Sequence, residues 1–161
     1  MATEIECLDM LEALVWMLKP EVIVETGCYK GYGTDRLING VIKNGSGHVY
    51  TCDLQSEMVE MTRKIAGRTA TVEQCTGAEL ISKLSSIDFA FLDSGGQASV
   101  RREELELVLP KLSPWGVVAV HDTGETHPDF REEFDRAVKE LNLDAVFFDT
   151  PRGFALLKKK V

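Results

Sequence analysis

Val22-Ile23-Val24-Glu25-Thr26-Gly27-Cys28-Tyr29-Lys30-Gly31-Tyr32-Gly33-Thr34 is the stretch that decides how the rest of the chain is read. A β-branched run meets an acidic residue and then gives way to glycines at 27, 31 and 33. β-Branched side chains favour extended backbone. Glycine lets the chain turn tightly and approach a ligand that any Cβ would obstruct. In open α/β sheets, ligands gather outside the carboxyl ends of the strands, so a strand ending in such a loop is where a site is expected. The spacing Gly-x-x-x-Gly-x-Gly is not the Gly-x-Gly-x-x-Gly of a dinucleotide pyrophosphate loop, and no Gly-Lys-Ser/Thr follows for a phosphate loop. Glu25 strengthens the reading, because a carboxylate closing a buried strand is costly unless it is hydrogen-bonded or paired.

Working outward, Ile5, Leu8, Leu11, Val15 and Leu18 recur at helical spacing before Lys19-Pro20 ends the helix. Downstream, apolar runs at Val49 to Cys52, Ala70 to Val72, Ile87 to Leu92, Val117 to Val120, Ala145 to Phe148 and Phe154 to Leu157 predict six further strands. Helices are expected between them over Leu54 to Ala66, Ala78 to Leu84, Val100 to Leu109 and Phe130 to Leu141. This alternation marks parallel βαβ units. Only five residues separate Phe148 from Phe154, too few for a crossover helix, so the last two strands must be antiparallel neighbours. The expected fold is a doubly wound α/β domain over residues 1–161, with a seven-stranded mixed sheet ending in an antiparallel hairpin.

Composition narrows the function. The 161 residues suit one domain with one sizeable core, and the 44% hydrophobic and 27% charged residues are those of a globular chain. A net charge of -8 argues against a nucleic-acid backbone as partner, since such binding needs a cationic surface. Cys7, Cys28, Cys52 and Cys75 form no Cys-x-x-Cys pair, which points away from a zinc knuckle or redox dithiol. Acidic residues stand in Met1 to Asp9 where a secretory leader would be basic, and no run of about 18 apolar residues offers a membrane span. A cytoplasmic protein is expected, with the N-terminal helix available to join two copies as a homodimer.

Three further strand ends carry chemistry. Asp53, 26 residues beyond Gly27, closes the second strand, where an acidic residue accepts hydrogen bonds from ribose hydroxyls. Asp93 closes the fourth strand, and His121-Asp122 closes the fifth. Adjacent parallel strands can bring these three together, and two carboxylates with an imidazole suit a divalent metal. His127-Pro128-Asp129 precedes the last helix, with Asp129 read as its N-cap and Glu132 completing a capping box.

On Glu25-Thr26-Gly27 with Gly31 following, Asp53, and the terminal hairpin, the chain resembles the class I S-adenosylmethionine-dependent methyltransferases, and within them the small-molecule O-methyltransferases with an acidic metal site. The resemblance runs from Val22 through nearly all of the remaining chain. It implies a cofactor site of Glu25, Thr26, Gly27, Gly31, Asp53, Thr76, Gly77 and Asp93. In it Gly27 lies against the methionine moiety, Asp53 binds the ribose, and the Thr76-Gly77-Ala78 turn approaches the adenine. It implies a metal, Mg or Mn, on Asp93, His121 and Asp122, and catalysis by Asp93 and His121, with His127 as a further candidate for the proton. Gly95-Gly96-Gln97 replaces the lysine or histidine that some relatives use as general base. The implied reaction is methyl transfer from S-adenosylmethionine to the hydroxyl of a small-molecule acceptor. A cofactor-binding module without transfer activity and an NAD-dependent oxidoreductase are the alternatives.

Overall fold

In the computed structural model, which describes residues 3–160, seven strands form one sheet; residues 1, 2 and 161 of the expected domain lie outside the described residues. The strands are β1 (Val22–Thr26), β2 (His48–Asp53), β3 (Ala70–Gln74), β4 (Ile87–Leu92), β5 (Leu112–His121), β6 (Leu143–Phe148) and β7 (Phe154–Lys159). Their order is β3-β2-β1-β4-β5-β7-β6. The first five are parallel, while β7 runs antiparallel to both β5 and β6, with His121 opposite Phe154 and Phe154 opposite Phe148. The expected seven-stranded mixed sheet with its C-terminal hairpin is therefore the observed one. Chain order reverses between β1 and β4, the switch point at which open α/β sheets bind ligands.

Helices cover both faces: α1 (Ile5–Leu18), α2 (Tyr32–Asn44), α3 (Ser56–Ala66), α4 (Gly77–Lys83), α5 (Ala98–Val108) and α6 (Pro128–Glu140). Successive strand residues point to opposite faces, and here both are buried. Ile23, Phe89 and Phe91 pack with Leu11, Val15 and Leu37 of α1 and α2. Val24, Ala90 and Leu92 pack with Leu80, Leu105 and Phe134 of α4, α5 and α6. This two-sided burial explains why the central strands read as continuous apolar runs.

Three details depart from the sequence reading. Helix α2 was not anticipated, because glycines and threonine occupy much of its inner face; Leu37, Ile38 and Val41 alone carry the apolar stripe. Helix α6 begins at Pro128 with His127 as its N-cap and no side-chain cap hydrogen bond, so Asp129 is not the cap. Proline's fixed φ suits the first helical position, and Asp129 instead complements the dipole in the first turn. The reciprocal capping box sits at Thr76 and Glu79 of α4. Strand β5 also begins earlier than expected, at Leu112, with a register shift against β4 between Ile87 and Phe89.

Gly40 lets α1 and α2 meet. A Cβ there would lie 2.6 Å from Val15 Cγ1 and 3.1 Å from the Glu12 carbonyl oxygen. Alanine is the better helix former by about 1 kcal/mol, but overpacking a tight contact costs about 1–3 kcal/mol. Gly40→Ala is therefore expected to lower stability in urea unfolding, by up to about 2 kcal/mol net. An unchanged or raised midpoint would show that the two helices separate freely.

Candidate functional site

A cavity of about 830 Å³ opens at the carboxyl ends of β1, β2 and β4, within the range of small-molecule sites. Glu25 is buried at its floor, where the hydroxyls of Thr34 (2.5 Å) and Thr51 (2.6 Å) both donate to Oε2. A side chain on Gly33 would run into Glu25 Oε1, so the first turn of α2 needs a glycine there. Burial pushes the Glu25 carboxyl up to about 7, against the lowering by its two hydroxyl partners.

The loop after β1 is shaped by close approach. Gly27 has φ 81°, and a Cβ would fall 2.6 Å from the Asp93 carbonyl oxygen. Gly31, at φ 83°, is the N-cap of α2 and packs beneath Thr62 and Ile65 rather than on the cavity. Thr26 is likewise behind the wall, its hydroxyl donating to Glu104 Oε2 at 2.8 Å. Asp53 borders the cavity with its carboxylate oriented by the backbone. Tyr29 N–H donates to Oδ2 and Gln55 N–H to Oδ1, each at 2.9 Å. Thr76 and Gly77 line the same space from the start of α4.

At the far end, Asp93, His121 and Asp122 converge as expected, with one ligand atom of each within 4.8 Å of the others. Asp93 and Asp122 border the cavity, whereas His121 is wholly buried behind them. Its Nδ1 lies 3.1 Å from Asp93 Oδ1 and its Nε2 lies 2.6 Å from Glu4 Oε2. Burial alone would lower the His121 pKa, but hydrogen bonding to Asp93 and Glu4 and the surrounding negative charge hold it above its ordinary value. Asp122 adopts φ 62°, rare for a residue with a Cβ. Burial would raise its pKa; His121 and Arg101 outweigh burial and keep it low. His127 stands apart from the cavity, its Nδ1 3.8 Å from Asp122 Oδ1 and 3.0 Å from Thr126 Oγ1.

Several residues in this constellation were not anticipated. Arg101 Nη2 reaches Asp93 Oδ1 (3.3 Å) and Asp122 Oδ2 (3.0 Å), while Arg152 Nη2 reaches Asp122 Oδ1 at 2.6 Å. Thr3 donates to Asp93 Oδ2 at 2.8 Å, and Glu4 Oε1 accepts the Arg152 backbone N–H at 2.9 Å. Glu104 is buried on α5 beside the cavity. A signal existed for two of these: Arg101 and Glu104 share the inner stripe of α5 with Leu105 and Val108. Charged residues on an apolar stripe need a reason. Thr3, Glu4 and Arg152 offered none, since their partners lie far along the chain.

The raised pKa of Glu25 has a consequence for stability. A folded-state pKa above the unfolded value means that folding takes up a proton, so this contribution is full below about pH 4.5 and lost as pH rises through about 7. Glu25→Gln keeps the shape without the charge. The ligand-free mutant is expected to lose less stability than wild type between pH 5 and pH 8 in thermal melts. Parallel pH profiles for the two proteins would refute the assignment.

Comparison with known proteins agrees with this geometry. Residues 24–123 match the family model described as "Methyltransferase domain". No curated protein sequence matches the chain significantly. Among solved structures, an O-methyltransferase from Bacillus cereus in complex with SAH is similar with a TM-score of 0.81 at 17% identity, over 99% of this chain and 83% of that one. TomG from Streptomyces achromogenes, an O-methyltransferase involved in tomaymycin synthesis and bound to SAM, gives 0.80 at 16% identity, over 99% and 82%. An rRNA methylase from Streptococcus thermophilus gives 0.74 at 17% identity, over 94% and 95%. Those likenesses are of fold. With its sheet order, its strand-end site and the family match over residues 24–123, the chain belongs to the methyltransferase domain family.

Proposed function

We propose that this protein transfers the methyl group of S-adenosylmethionine to a hydroxyl of a small molecule. The observation that carries the reading is that Glu25, Gly27, Asp53, Asp93 and Asp122 all border one cavity at the switch point of the sheet. A sulfonium donor needs no phosphate loop and finds favourable charge beside Asp53 and Asp93, and beside Glu25 once its carboxyl is ionised. The backbone-oriented Asp53 carboxylate retains lone pairs for ribose hydroxyls. The net charge of -8 favours a small acceptor over the phosphate backbone of RNA. The solved relatives described as O-methyltransferases support oxygen as the methylated atom. The oxidoreductase alternative has no pyrophosphate-type glycine loop behind it.

The sulfonium is already an activated donor, so much of the catalysis comes from alignment. In our reading Asp93, at the end of β4 and beside the Gly27 loop, accepts the hydrogen bond of the acceptor hydroxyl, holds its oxygen toward the methyl carbon, and takes the hydroxyl proton as the O–CH₃ bond forms and the S–CH₃ bond breaks to leave S-adenosylhomocysteine. His121 stands behind Asp93 with both ring nitrogens engaged, one by Glu4, and so positions that carboxylate and stabilises it by charge. Thr3 fixes the second Asp93 oxygen. His127, outside the cavity, would act only through Asp122.

The donor set also fits a divalent cation in kind, with two carboxylates and an imidazole whose atoms lie within 4.8 Å. Asp93, Asp122 and, once it had released its proton, His121 would hold Mg²⁺ or Mn²⁺, and the ion would supply a lowered pKa for the acceptor hydroxyl. Arg101 and Arg152 compete for the same carboxylates, which favours weak and exchangeable binding.

Two outcomes test the reading. Asp53→Ala is expected to weaken S-adenosylmethionine binding by roughly 1.5–3 kcal/mol in calorimetry, from loss of charge-assisted hydrogen bonds, with the fold intact by circular dichroism. Equal affinity in wild type and mutant would remove Asp53 from the site. Asp93→Asn and Asp122→Asn are each expected to weaken Mn²⁺ binding in a separate titration. Each should also lower methyl transfer more than donor affinity. Full transfer after exhaustive chelation would discard the metal and leave the methyltransferase reading in place.

A further inference from the structure

The imidazole of His121 separates two groups of donor atoms. Its Nδ1 lies 3.1 Å from Asp93 Oδ1 and 3.3 Å from Asp122 Oδ1, toward the cavity. Its Nε2 lies 2.6 Å from Glu4 Oε2, away from it. On that second side stands Cys7, 3% exposed in the first turn of α1 and outside the cavity lining. Glu4 is the N-cap of the same helix, so one turn presents a carboxylate and a thiol together. One ligand atom each of Glu4, Cys7 and His121 lies within 4.8 Å of the other two. The Thr150 hydroxyl is beside them, 3.4 Å from Glu4 Oε1 and hydrogen-bonded to the Cys7 thiol. A buried thiol packs as a small hydrophobe, and Cys7 does join the cluster of Leu11 and Val15. Packing does not account for a carboxylate and an imidazole meeting it in one space.

We propose that Glu4, Cys7 and His121 form a second cation site, which takes Zn²⁺ through the carboxylate, the thiolate and imidazole Nε2. Thiolate selects zinc over the hard ions Mg²⁺ and Mn²⁺, and a tetrahedral ion accepts mixed oxygen, nitrogen and sulfur ligands. Zinc bonds of about 2.0–2.2 Å to oxygen and nitrogen set those two ligand atoms roughly 3.3 Å apart. Glu4 Oε2 and His121 Nε2 need only a small separation from 2.6 Å to reach that spacing. The ion displaces the Cys7 thiol proton and the Nε2 proton to solvent. Glu4, whose side chain is 19% exposed, gives it a way in. The Thr150 hydroxyl or a water is left for the fourth position. A neutral imidazole has one lone pair, so Nδ1 then keeps its proton and donates to Asp93. Zinc would tie the first turn of α1 to the end of β5 and lock the ring that stands behind Asp93. The site is independent of the methyl-donor reading. It shares only His121 with the cavity side, where a hard ion would then keep Asp93 and Asp122.

Titration with Co²⁺, a spectroscopic stand-in for Zn²⁺, reads thiolate ligation directly as sulfur-to-cobalt charge transfer in the near ultraviolet. Wild-type protein is expected to develop that band and to lose it when Zn²⁺ is added in competition. Cys7→Ser is expected to abolish the band and to weaken Zn²⁺ binding at least about a hundredfold, since losing an outer partner of a ligand alone costs about 10–100-fold. Its Mn²⁺ affinity should stay at the wild-type value. Cys52→Ser and Cys75→Ser, whose thiols border the cavity, should keep the band. Glu4→Gln should keep the band and weaken Zn²⁺ binding at least about tenfold. Absence of charge transfer in wild type overturns the proposal, as does a band that survives in folded Cys7→Ser. Should Cys7→Ser not fold, an unchanged Zn²⁺ affinity in Glu4→Gln overturns it instead. None of these outcomes bears on S-adenosylmethionine binding, which is measured separately.

Discussion

The guanidinium of Arg101 is the joint on which the proposed acceptor end of the cavity turns. It is 2% exposed and spends its donors on four partners: the Ser94 carbonyl beyond β4, the His121 carbonyl at the end of β5, and the carboxylates of Asp93 and Asp122. The ring of Phe130 lies under it, 4.5 Å from centroid to Cζ, so α6 is drawn into the same assembly. Two ionised carboxylates on one guanidinium repel each other less than they would without it, and removing one partner of a buried charge pair costs about 3–5 kcal/mol. The pairing thus fixes the separation of two strand ends as well as their charge. Arginine suits the position because its planar fork of five donors can serve several acceptors at once.

The two ends of the cavity are stabilised differently. At the donor end, Glu25 and Glu104 are buried carboxylates satisfied by hydroxyls rather than cations, and burial raises the pKa of both. Burial favours the neutral form of each, and a cationic ligand entering that end would draw them toward the charged form. At the acceptor end, Glu4, Asp93 and Asp122 face His121, Arg101 and Arg152, and the charges nearly cancel. A neutral acceptor can enter there without disturbing a charged network, while an ion entering has to compete with one.

The same division explains what was legible in the sequence. Glu25, Gly27 and Asp53 sit at strand ends announced by local pattern, and a strand end in an open sheet has a known neighbourhood. The terminal hairpin followed from a five-residue gap alone. Asp93, His121 and Asp122 could be brought together by assuming that β4 and β5 are neighbours, which they are. Helix α2 escaped because its inner face substitutes glycine and threonine for apolar bulk, for reasons visible only once Glu25 and Val15 are in place. The Asp129 cap failed because proline at the first helical position moved the boundary. Glu4 and Arg152 were out of reach of local reasoning, because their roles exist only after the chain has closed on itself.

That closure bears on when the protein becomes competent. Glu4 bonds the backbone of Arg152, 148 positions away, and the imidazole of His121, 117 positions away. Contacts of such separation repay their loop-closure entropy only after the intervening sheet has formed. During synthesis the segment bearing Glu4, the N-cap of α1, emerges long before the hairpin it must grip. The donor end, built from residues 25 to 104, can take shape while the rest is still being made. The end at Asp93, His121 and Asp122 is assembled after it, when the hairpin closes over the N-terminal segment.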